Sequence, residues 1–351
     1  MRVLAFPKGT SPYTECFYAA VEAIGVEVVD GTMSGGWLVQ NVRRGDWVHL
    51  HWPSFEYSGS PGAMRQLLAF ARFMLLLLLA RVRGARIAWT AHNLMPHDRA
   101  RVAGLDALAR HAVVAFSDVV LVHGEQARDV LARRFPATRA KAIVIPHGNW
   151  IDHYPRTSNR ATARSALGLV PDAWVYAFVG LCKPYKNLER LVHAFRSTGR
   201  DAILVIAGKF PDSSYLKRVR DAADGDPRIR ILAGYVPDEQ LGHYLVASDC
   251  VVAPYREILT SGTAMLAMSF GRPVVSLASG FLLEVIDERN GVLYEPADPH
   301  GLEGALERVR SRRYDEKEII GMARGHTFEA AAAIFVAALQ RFARGHGSKA
   351  R

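Results

Sequence analysis

Val175-Tyr176-Ala177-Phe178-Val179-Gly180-Leu181-Cys182-Lys183-Pro184-Tyr185-Lys186-Asn187 is the stretch on which the fold turns. Its first five residues form an unbroken apolar run of β-favouring character, the pattern of a strand covered on both faces. Gly180 ends the run, and a proline-kinked loop carrying two lysines follows. The same succession recurs on both sides. Working back towards the N-terminus, apolar runs at 142–146, 119–122, 87–90, 47–51, 26–29 and 3–6 read as strands, with a helical pattern at 13–24 after the first. Working forward, runs at 203–207, 229–233, 250–253 and 274–276 do the same. Apolar β-runs separated by amphipathic segments of helical length predict βαβ units and parallel sheets, here two sheets of five or six strands. The fold class is α/β.

The chain has 351 residues, enough for two domains. Half of it is apolar and 22% is charged, which excludes a disordered or coiled-coil protein. Strand periodicity lapses between Gly148 and Pro171, where Pro155, Arg156, Thr157, Ser158, Asn159 and Arg160 read as a linker leading into a short helix at 160–167. The expected division is 1–155, 156–326 and a terminal helix at 327–345 that returns to the first domain. Lys and Arg outnumber Asp and Glu 44 to 34, a net charge of +10 that favours anionic partners such as nucleotides, phosphates or an acidic membrane surface. Cys16, Cys182 and Cys250 fit neither a disulfide framework nor a CxxC metal pattern and point to a reducing cytoplasm. Met1-Arg2-Val3-Leu4-Ala5-Phe6 turns polar within a few residues, so it is not expected to act as a signal peptide. Residues 67–80 contain Phe73-Met74-Leu75-Leu76-Leu77-Leu78-Leu79-Ala80 and are ringed by Arg65, Arg72, Arg81, Arg83 and Arg86. The run is too short to span a bilayer. It is expected to be either a buried helix or a basic-apolar face resting on anionic lipid, and one helix can be both.

Open parallel sheets bind ligands beyond the carboxyl ends of their strands, and the notable motifs follow strands. Gly9 and Thr10, between the first strand and its helix, offer a backbone approach to a phosphate but form no GxGxxG or P-loop fingerprint. Lys183 and Lys186, three apart in a loop expected to be exposed, can neutralise a diphosphate. Ser261 or Thr260 is placed to cap a helix at 264–270, which would leave Gly262 and Thr263 presenting N–H groups at its positive end. Histidines cluster at strand ends: His49 and His51, His92 and His97 with Asn93, and His147. No HExxH or HxxEH spacing makes them a metal site, and neutral imidazole suits hydrogen bonding to sugar hydroxyls or proton transfer. Asp224-Gly225-Asp226 has the spacing of a DxD metal motif but reads as a surface turn.

Taken together, Gly180 to Lys186 with Leu191-Val192-His193-Ala194-Phe195, Gly234-Tyr235-Val236-Pro237-Asp238-Glu239 with Tyr244, and Ala267-Met268-Ser269-Phe270-Gly271-Arg272-Pro273-Val274-Val275 resemble the ordered signatures of the glycosyltransferase family 4 clan. Glu284, Asn290-Gly291, Pro296-Ala297-Asp298 and Thr327-Phe328-Glu329 continue the likeness. The segments His49-Leu50-His51-Trp52-Pro53 and Thr90-Ala91-His92-Asn93-Leu94-Met95-Pro96-His97 look like those of bacterial xanthan-type exopolysaccharide β-mannosyltransferases. The resemblance implies a GT-B fold, two Rossmann-like domains facing across a cleft, with the nucleotide-sugar donor in the C-terminal one and the acceptor mostly in the N-terminal one.

It also implies site residues. Lys183, Lys186, Ser261, Gly262, Thr263, Gly9 and Thr10 would meet the donor diphosphate. Gly208, Tyr235, Val236 and Leu266 would line the nucleoside, Leu266 standing where the clan has a ribose-holding glutamate. His92 and Glu257 are the catalytic candidates, Glu257 lying one residue from the position of the clan's other glutamate. His51, Asn93, His97 and His147 would contact sugar or acceptor. The implied activity is transfer of a hexose from a nucleoside diphosphate sugar, GDP-mannose-like or a UDP-sugar, to a glycan or glycolipid acceptor in polysaccharide or glycoconjugate synthesis. No metal and no cofactor is expected, since the nucleotide sugar is a substrate, and no nucleic-acid partner, for want of an RNP motif or zinc finger. The expected location is the cytoplasm, peripheral on the inner face of the plasma membrane. Rival expectations are a GT-B epimerase, a transferase acting on a soluble natural product, and a two-domain binding protein without catalysis.

Overall fold

A computed structural model describes residues 1–156 and 159–345. Its contacts divide the chain into two units, Met1–Gly148 with Thr327–Arg351, and Asn149–His326. The first boundary therefore lies at 148 rather than 155. Residues 149–155 go with the second unit because Trp150 is tied into it. Its backbone N–H donates to Ser269 Oγ at 2.9 Å and its indole N–H to the Gly262 carbonyl at 3.3 Å.

The first unit holds six strands: β1 (Arg2–Phe6), β2 (Glu27–Asp30), β3 (Trp47–Leu50), β4 (Arg86–Thr90), β5 (Val119–Val122) and β6 (Ala142–Val144). They pair in parallel in the order β2-β1-β3-β4-β5-β6. Every residue of β3 and β5 is buried, as the apolar runs required. Helix Phe328–Gly345 packs beside helix Pro12–Ala23, with Phe335 5.3 Å from Phe17 between ring centroids.

Helix Ala63–Val82 needs a correction. It is 20 residues long and, by length and composition, apolar enough to cross a membrane, so the leucine run is not too short. It connects β3 to β4, neighbours in one parallel sheet, and buries Phe73, Leu76, Leu77 and Ala80. That is the geometry of a crossover helix, which must lie along its sheet. Its other face leaves Met64, Leu68, Leu75, Leu78 and Val82 exposed. Of the surrounding arginines, Arg81 is committed to Asp118 at 2.8 Å and Arg86 donates to the Ala343 carbonyl.

The second unit repeats the plan with β7 (Trp174–Val179), β8 (Ala202–Gly208), β9 (Ile229–Ala233), β10 (Cys250–Ala253), β11 (Val274–Leu277) and β12 (Gly291–Tyr294), in the order β12-β11-β10-β7-β8-β9, again all parallel. The sequence did not announce β12, because its four residues begin on Gly291, directly after Asn290, and Asn-Gly reads as a turn. Gly208, at φ +155°, closes β8 against the first loop of this unit: a Cβ there would stand 1.7 Å from the Gly180 carbonyl oxygen. All three cysteines are free thiols. Asp224 and Asp226 lie in a turn, where Asp226 pairs with Arg228 at 2.7 Å.

In each sheet the strand order reverses once, between β1 and β3 in the first unit and between β7 and β10 in the second. Beyond the strand ends at such a switch point, neighbouring loops lead to opposite faces and leave a crevice.

Candidate active-site elements of the two units

At the switch point of the second unit, the loop after β7 meets the loop after β10. Pro184–Lys186 forms one 3₁₀ turn, and Asn187 at φ +58° redirects the chain into helix Leu188–Arg196. This turn buries Lys186, only 9% exposed, where the sequence suggested an exposed loop. Its ammonium donates to Tyr255 Oη at 3.3 Å and lies over three rings: Tyr255 at 4.5 Å, Tyr185 at 5.1 Å and Phe178 at 5.9 Å. Among the described residues no carboxylate pairs with it. Burial works against the ammonium, but Tyr255 and Tyr185 outweigh burial and hold its pKa above the ordinary value. Tyr255 shows the converse: burial pushes its hydroxyl up, and Lys186 with hydrogen bonds from Ser261 and Thr263 pulls it below its usual range.

Tyr255 Oη also lies 2.9 Å from Ser261 Oγ, which accepts the Ala264 N–H at 3.1 Å as the cap of helix Gly262–Ser269. Gly262 and Thr263 stand half-exposed at the opening of that helix. Lys186, Tyr255 and the capped helix start are thus one hydrogen-bonded group, built to receive a charge of the opposite sign. Lys183 is half-buried one turn before Lys186. Glu257 is exposed on the loop between Tyr255 and Ser261. Gly208 ends β8, while Tyr235, largely exposed, and Val236 follow β9. Leu266 is buried within helix Gly262–Ser269. The sequence reading overlooked Asn187, Arg190 and Arg256. With Tyr255, Tyr294 and Pro296 they line a cavity of about 320 Å³, and only the folding of four strand ends to one edge brings them together.

In the first unit the strand ends gather histidines. His49 and His51, two apart, share a face of β3 and its extension. His92 follows β4, His123 follows β5 and His147 follows β6, and all five are buried. Tyr13 sits among them, with ring centroids 4.8 Å from His92, 5.2 Å from His147 and 5.4 Å from His123. The structure therefore joins the expected His51, His92 and His147 with His49, His123, Tyr13 and Tyr18. The period of two in the strand and the aromatic spacing on helix Pro12–Ala23 were the available signals. Asn93 and His97 lie half-buried on the loop after β4. Gly9 and Thr10 are exposed, and Lys8 beside them is engaged by Glu22 at 2.6 Å.

A hydrogen-bonded chain runs through this cluster. Thr90 Oγ1 lies 2.8 Å from His49 Nε2, and His49 Nδ1 lies 2.8 Å from Tyr18 Oη. Tyr18 Oη lies 2.8 Å from His51 Nε2, and His51 Nδ1 lies 3.0 Å from His92 Nε2. Burial keeps the imidazoles neutral. It pushes His49 down to about 3, with His92 adding to the effect. It pushes His51 well below its usual value, helped by His49 and His123, and His92 likewise, helped by His51, His123, His147 and Arg110.

A neutral imidazole has one N–H, so the chain runs in one of two directions. Among the described residues Thr90 Oγ1 has no other hydrogen-bond partner, and an unpaired buried hydroxyl donor is costly. Donation therefore starts at Thr90 and passes from His49 Nδ1 to Tyr18, from Tyr18 to His51 Nε2, and from His51 Nδ1 to His92 Nε2. This accounting assigns the remaining proton of His92 to Nδ1. His92 is then a neutral hydrogen-bond donor with its basic nitrogen already occupied. Among the described residues no three His, Cys, Asp or Glu are grouped to hold a metal ion.

Comparison with known proteins agrees with this geometry. The sequence model described as Glycosyl transferases group 1 matches residues 174–311. The GDP-mannose:glycolipid 4-beta-D-mannosyltransferase of Xanthomonas campestris pv. campestris is 29% identical over 281 residues, covering 77% of this chain and 73% of that protein. A D-inositol 3-phosphate glycosyltransferase of Actinosynnema mirum is 30% identical over 271 residues, covering 71% of this chain and 64% of that one. Among solved structures, Anabaena HepE in complex with UDP and glucose superposes with a TM-score of 0.65 at 16% identity, over 99% of this chain and 100% of that one. A Rickettsia africae glycosyltransferase superposes with a TM-score of 0.68 at 12% identity, over 97% and 98%. Two six-stranded parallel sheets, a buried ammonium beside a capped helix start, and these relatives lead to one conclusion: residues 174–311 match the group 1 glycosyl transferase model, and the chain is a glycosyltransferase of the GT-B fold.

Proposed function

We propose that this glycosyltransferase moves a hexose from a nucleoside diphosphate sugar, GDP-mannose first among those to test, to a lipid-carried glycan in polysaccharide or glycoconjugate synthesis. The observation that carries the proposal is Lys186, a buried ammonium with no carboxylate partner among the described residues, hydrogen-bonded through Tyr255 to the Ser261-capped helix start. A departing diphosphate supplies the missing negative charge, and preorganised donors stabilise the charge that develops on it. Lys183, Gly262 and Thr263 extend that group, and the Gly208 and Tyr235–Val236 loops take the nucleoside. His92 donates to a sugar oxygen from Nδ1. No metal, cofactor or nucleic acid enters this scheme.

The choice of GDP-mannose and a lipid acceptor draws on the Xanthomonas relative, whose name states both. The exposed face of helix Ala63–Val82 supports it, because Leu75 at 65% and Val82 at 77% exposure form an apolar stripe with Leu68 and Leu78. Arg65, Arg72 and Arg83 flank that stripe and suit anionic head groups. The enzyme then works on the cytoplasmic face of the plasma membrane, with helix Ala63–Val82 resting on the bilayer surface.

A thermal-shift panel of GDP-, UDP-, dTDP- and ADP-sugars tests the donor. The true donor at saturating excess is expected to stabilise by about 2–4 kcal/mol. Absence of any shift, together with no nucleoside diphosphate released in the presence of membrane-extracted acceptor, overturns the reading. Co-sedimentation with vesicles tests the surface. Binding should require anionic lipid, weaken with salt and fall in a Leu75→Gln/Leu78→Gln variant. No binding at low salt leaves a soluble acceptor.

A further inference from the structure

Residues 91–104 join β4 to helix Leu105–Phe116 without forming a helix or strand of their own. They follow Thr90 and carry His92, Asn93 and His97. An irregular segment of that length keeps one shape only where its backbone groups find partners outside it. Two buried side chains supply them. Asp106, 7% exposed in the first turn of helix Leu105–Phe116, accepts the Ala100 N–H at 2.9 Å on one carboxylate oxygen and the Tyr57 hydroxyl at 3.0 Å on the other. Gln66, 1% exposed on helix Ala63–Val82, accepts the Arg101 N–H at 2.8 Å and donates to the Ser58 carbonyl at 2.9 Å. Tyr57 and Ser58 belong to the loop after β3, so two bridges from two different helices tie the same pair of loops together. Near the strand ends the same two loops meet again, where Trp52 stacks on His92 at 4.8 Å and 20°. Arg110, also buried, adds a further hold: its Nε–H donates to the Leu94 carbonyl at 3.3 Å and its guanidinium lies 4.9 Å from the Trp89 ring centre.

Apolar packing alone does not account for these groups. Tyr57, Leu105 and Ala109 form a small core of their own, edged by Phe70 and Val102. Leucines at 66 and 106 would enlarge that core without the cost of desolvating an amide and a carboxylate. What leucines cannot do is fix two backbones in register. We propose that Asp106 and Gln66 are positioning residues, a double clamp that sets the loop after β4 against the loop after β3 and thereby presents Asn93 and His97 to the acceptor. The proposal rests on the transferase reading above. Neither residue touches the reacting atoms, and each acts through the backbone N–H it holds. The clamp lies wholly within the first unit, so its effect falls on the acceptor, while the donor diphosphate is met by Lys186 in the second.

Two measurements on the full chain test the proposal. Asp106→Leu and Gln66→Leu each cut one bridge. Asp106→Asn keeps both contacts, its amide oxygen accepting from Ala100 and its amide nitrogen donating to the Tyr57 oxygen. In transfer to membrane-extracted acceptor, each leucine variant should lose about 10²-fold in kcat/KM for the acceptor, mainly through a raised KM, as expected for a misplacement on the ångström scale. The donor KM and the donor thermal shift should stay at wild-type values, and Asp106→Asn should stay within about 10-fold of wild type throughout. Trypsin should cut after the exposed Arg99 or Arg101 faster in the leucine variants than in wild type or Asp106→Asn. A wild-type acceptor KM in both leucine variants overturns the clamp, as does an Asp106→Asn loss equal to that of Asp106→Leu. Donor and acceptor KM rising together also overturn it, since that marks a general loosening of the fold. Should Asp106→Leu fail to fold, Gln66→Leu decides the matter. If the wild type transfers from no nucleotide sugar, the transferase reading fails, and the trypsin comparison still decides whether the clamp holds the loop.

Discussion

Mild acid should unfold the first unit of this enzyme, because its core is built on imidazoles that refuse protons. His49, His51, His92 and His123 are all held below the ordinary histidine value by burial. In the unfolded chain each titrates near 6.5. The folded pKa lies below the unfolded one, so the stability is fully present above about pH 6.5. It is lost as pH falls, because the unfolded state binds protons that the folded state does not. For His49 the window runs from about 6.5 down to about 3. Within such a window each histidine removes about 1.4 kcal/mol per pH unit. His49 alone removes about 2 kcal/mol by pH 5, and His51, His92 and His123, lowered in the same direction, add to it against the 5–15 kcal/mol that holds a domain. Glu56, raised by burial, has the opposite sign and is a single group. Melting curves by circular dichroism from pH 8 to pH 5, with limited proteolysis to locate cleavage, measure the effect. The melting temperature should drop steeply below pH 6.5, with cuts confined to the first unit, 1–148 and the stretch from 327 on. His123→Phe should relieve part of the slope while keeping the ring packing, since His123 stands outside the hydrogen-bonded chain and its Nδ1 meets the Ile145 carbonyl at a long 3.4 Å. A melting temperature unchanged between pH 7.5 and 5.5, or cleavage confined to 149–326, refutes the reasoning.

Three further outcomes follow from the geometry. Lys186→Ala should lower turnover by about 10²–10³-fold, the effect of losing one charge-stabilising donor, while Lys186→Met, which fills the same volume, should do so without lowering the melting temperature; unchanged turnover would remove Lys186 from the site. His92→Asn keeps a donor where Nδ1 stands and should retain transfer within about 10-fold, whereas His92→Asp, an acceptor only, should lose about 10²-fold; Asp matching Asn in a kcat assay would reverse the proton assignment. Gly208→Ala drives a Cβ onto the Gly180 carbonyl and should destabilise the second unit by several kcal/mol, read as a lower denaturant midpoint; an unaltered midpoint would show that the β7 and β8 ends can part freely.

Much of the fold was legible because parallel strands covered on both faces leave an unmistakable apolar run. The runs at 119–122, 229–233 and 250–253 became β5, β9 and β10 without change. The Ser261 cap was legible for a local reason, since a hydroxyl three residues before its N–H partner needs no tertiary partner. The leucine helix was only half legible. Residues 67–80 are apolar on almost every side, so their period carries no phase, and only packing on β3 and β4 decided that Leu76 and Leu77 go inside while Leu75 and Leu78 face out. The boundary at 148 was missed because Trp150 is held by Ser269 and Gly262, more than a hundred residues away.

By itself, then, the sequence determined the secondary elements, the parallel α/β class and the loops that bear function, since these depend on periodicity, capping and chain direction within a dozen residues. The tertiary structure alone decided strand order, and with it the two switch points. It also decided which side chains were desolvated and brought together: a lysine buried beside Tyr255, and five histidines from four strand ends gathered around Tyr18 and Tyr13. Those properties arise from desolvation and from neighbours distant in the chain, and neither is encoded in any local stretch.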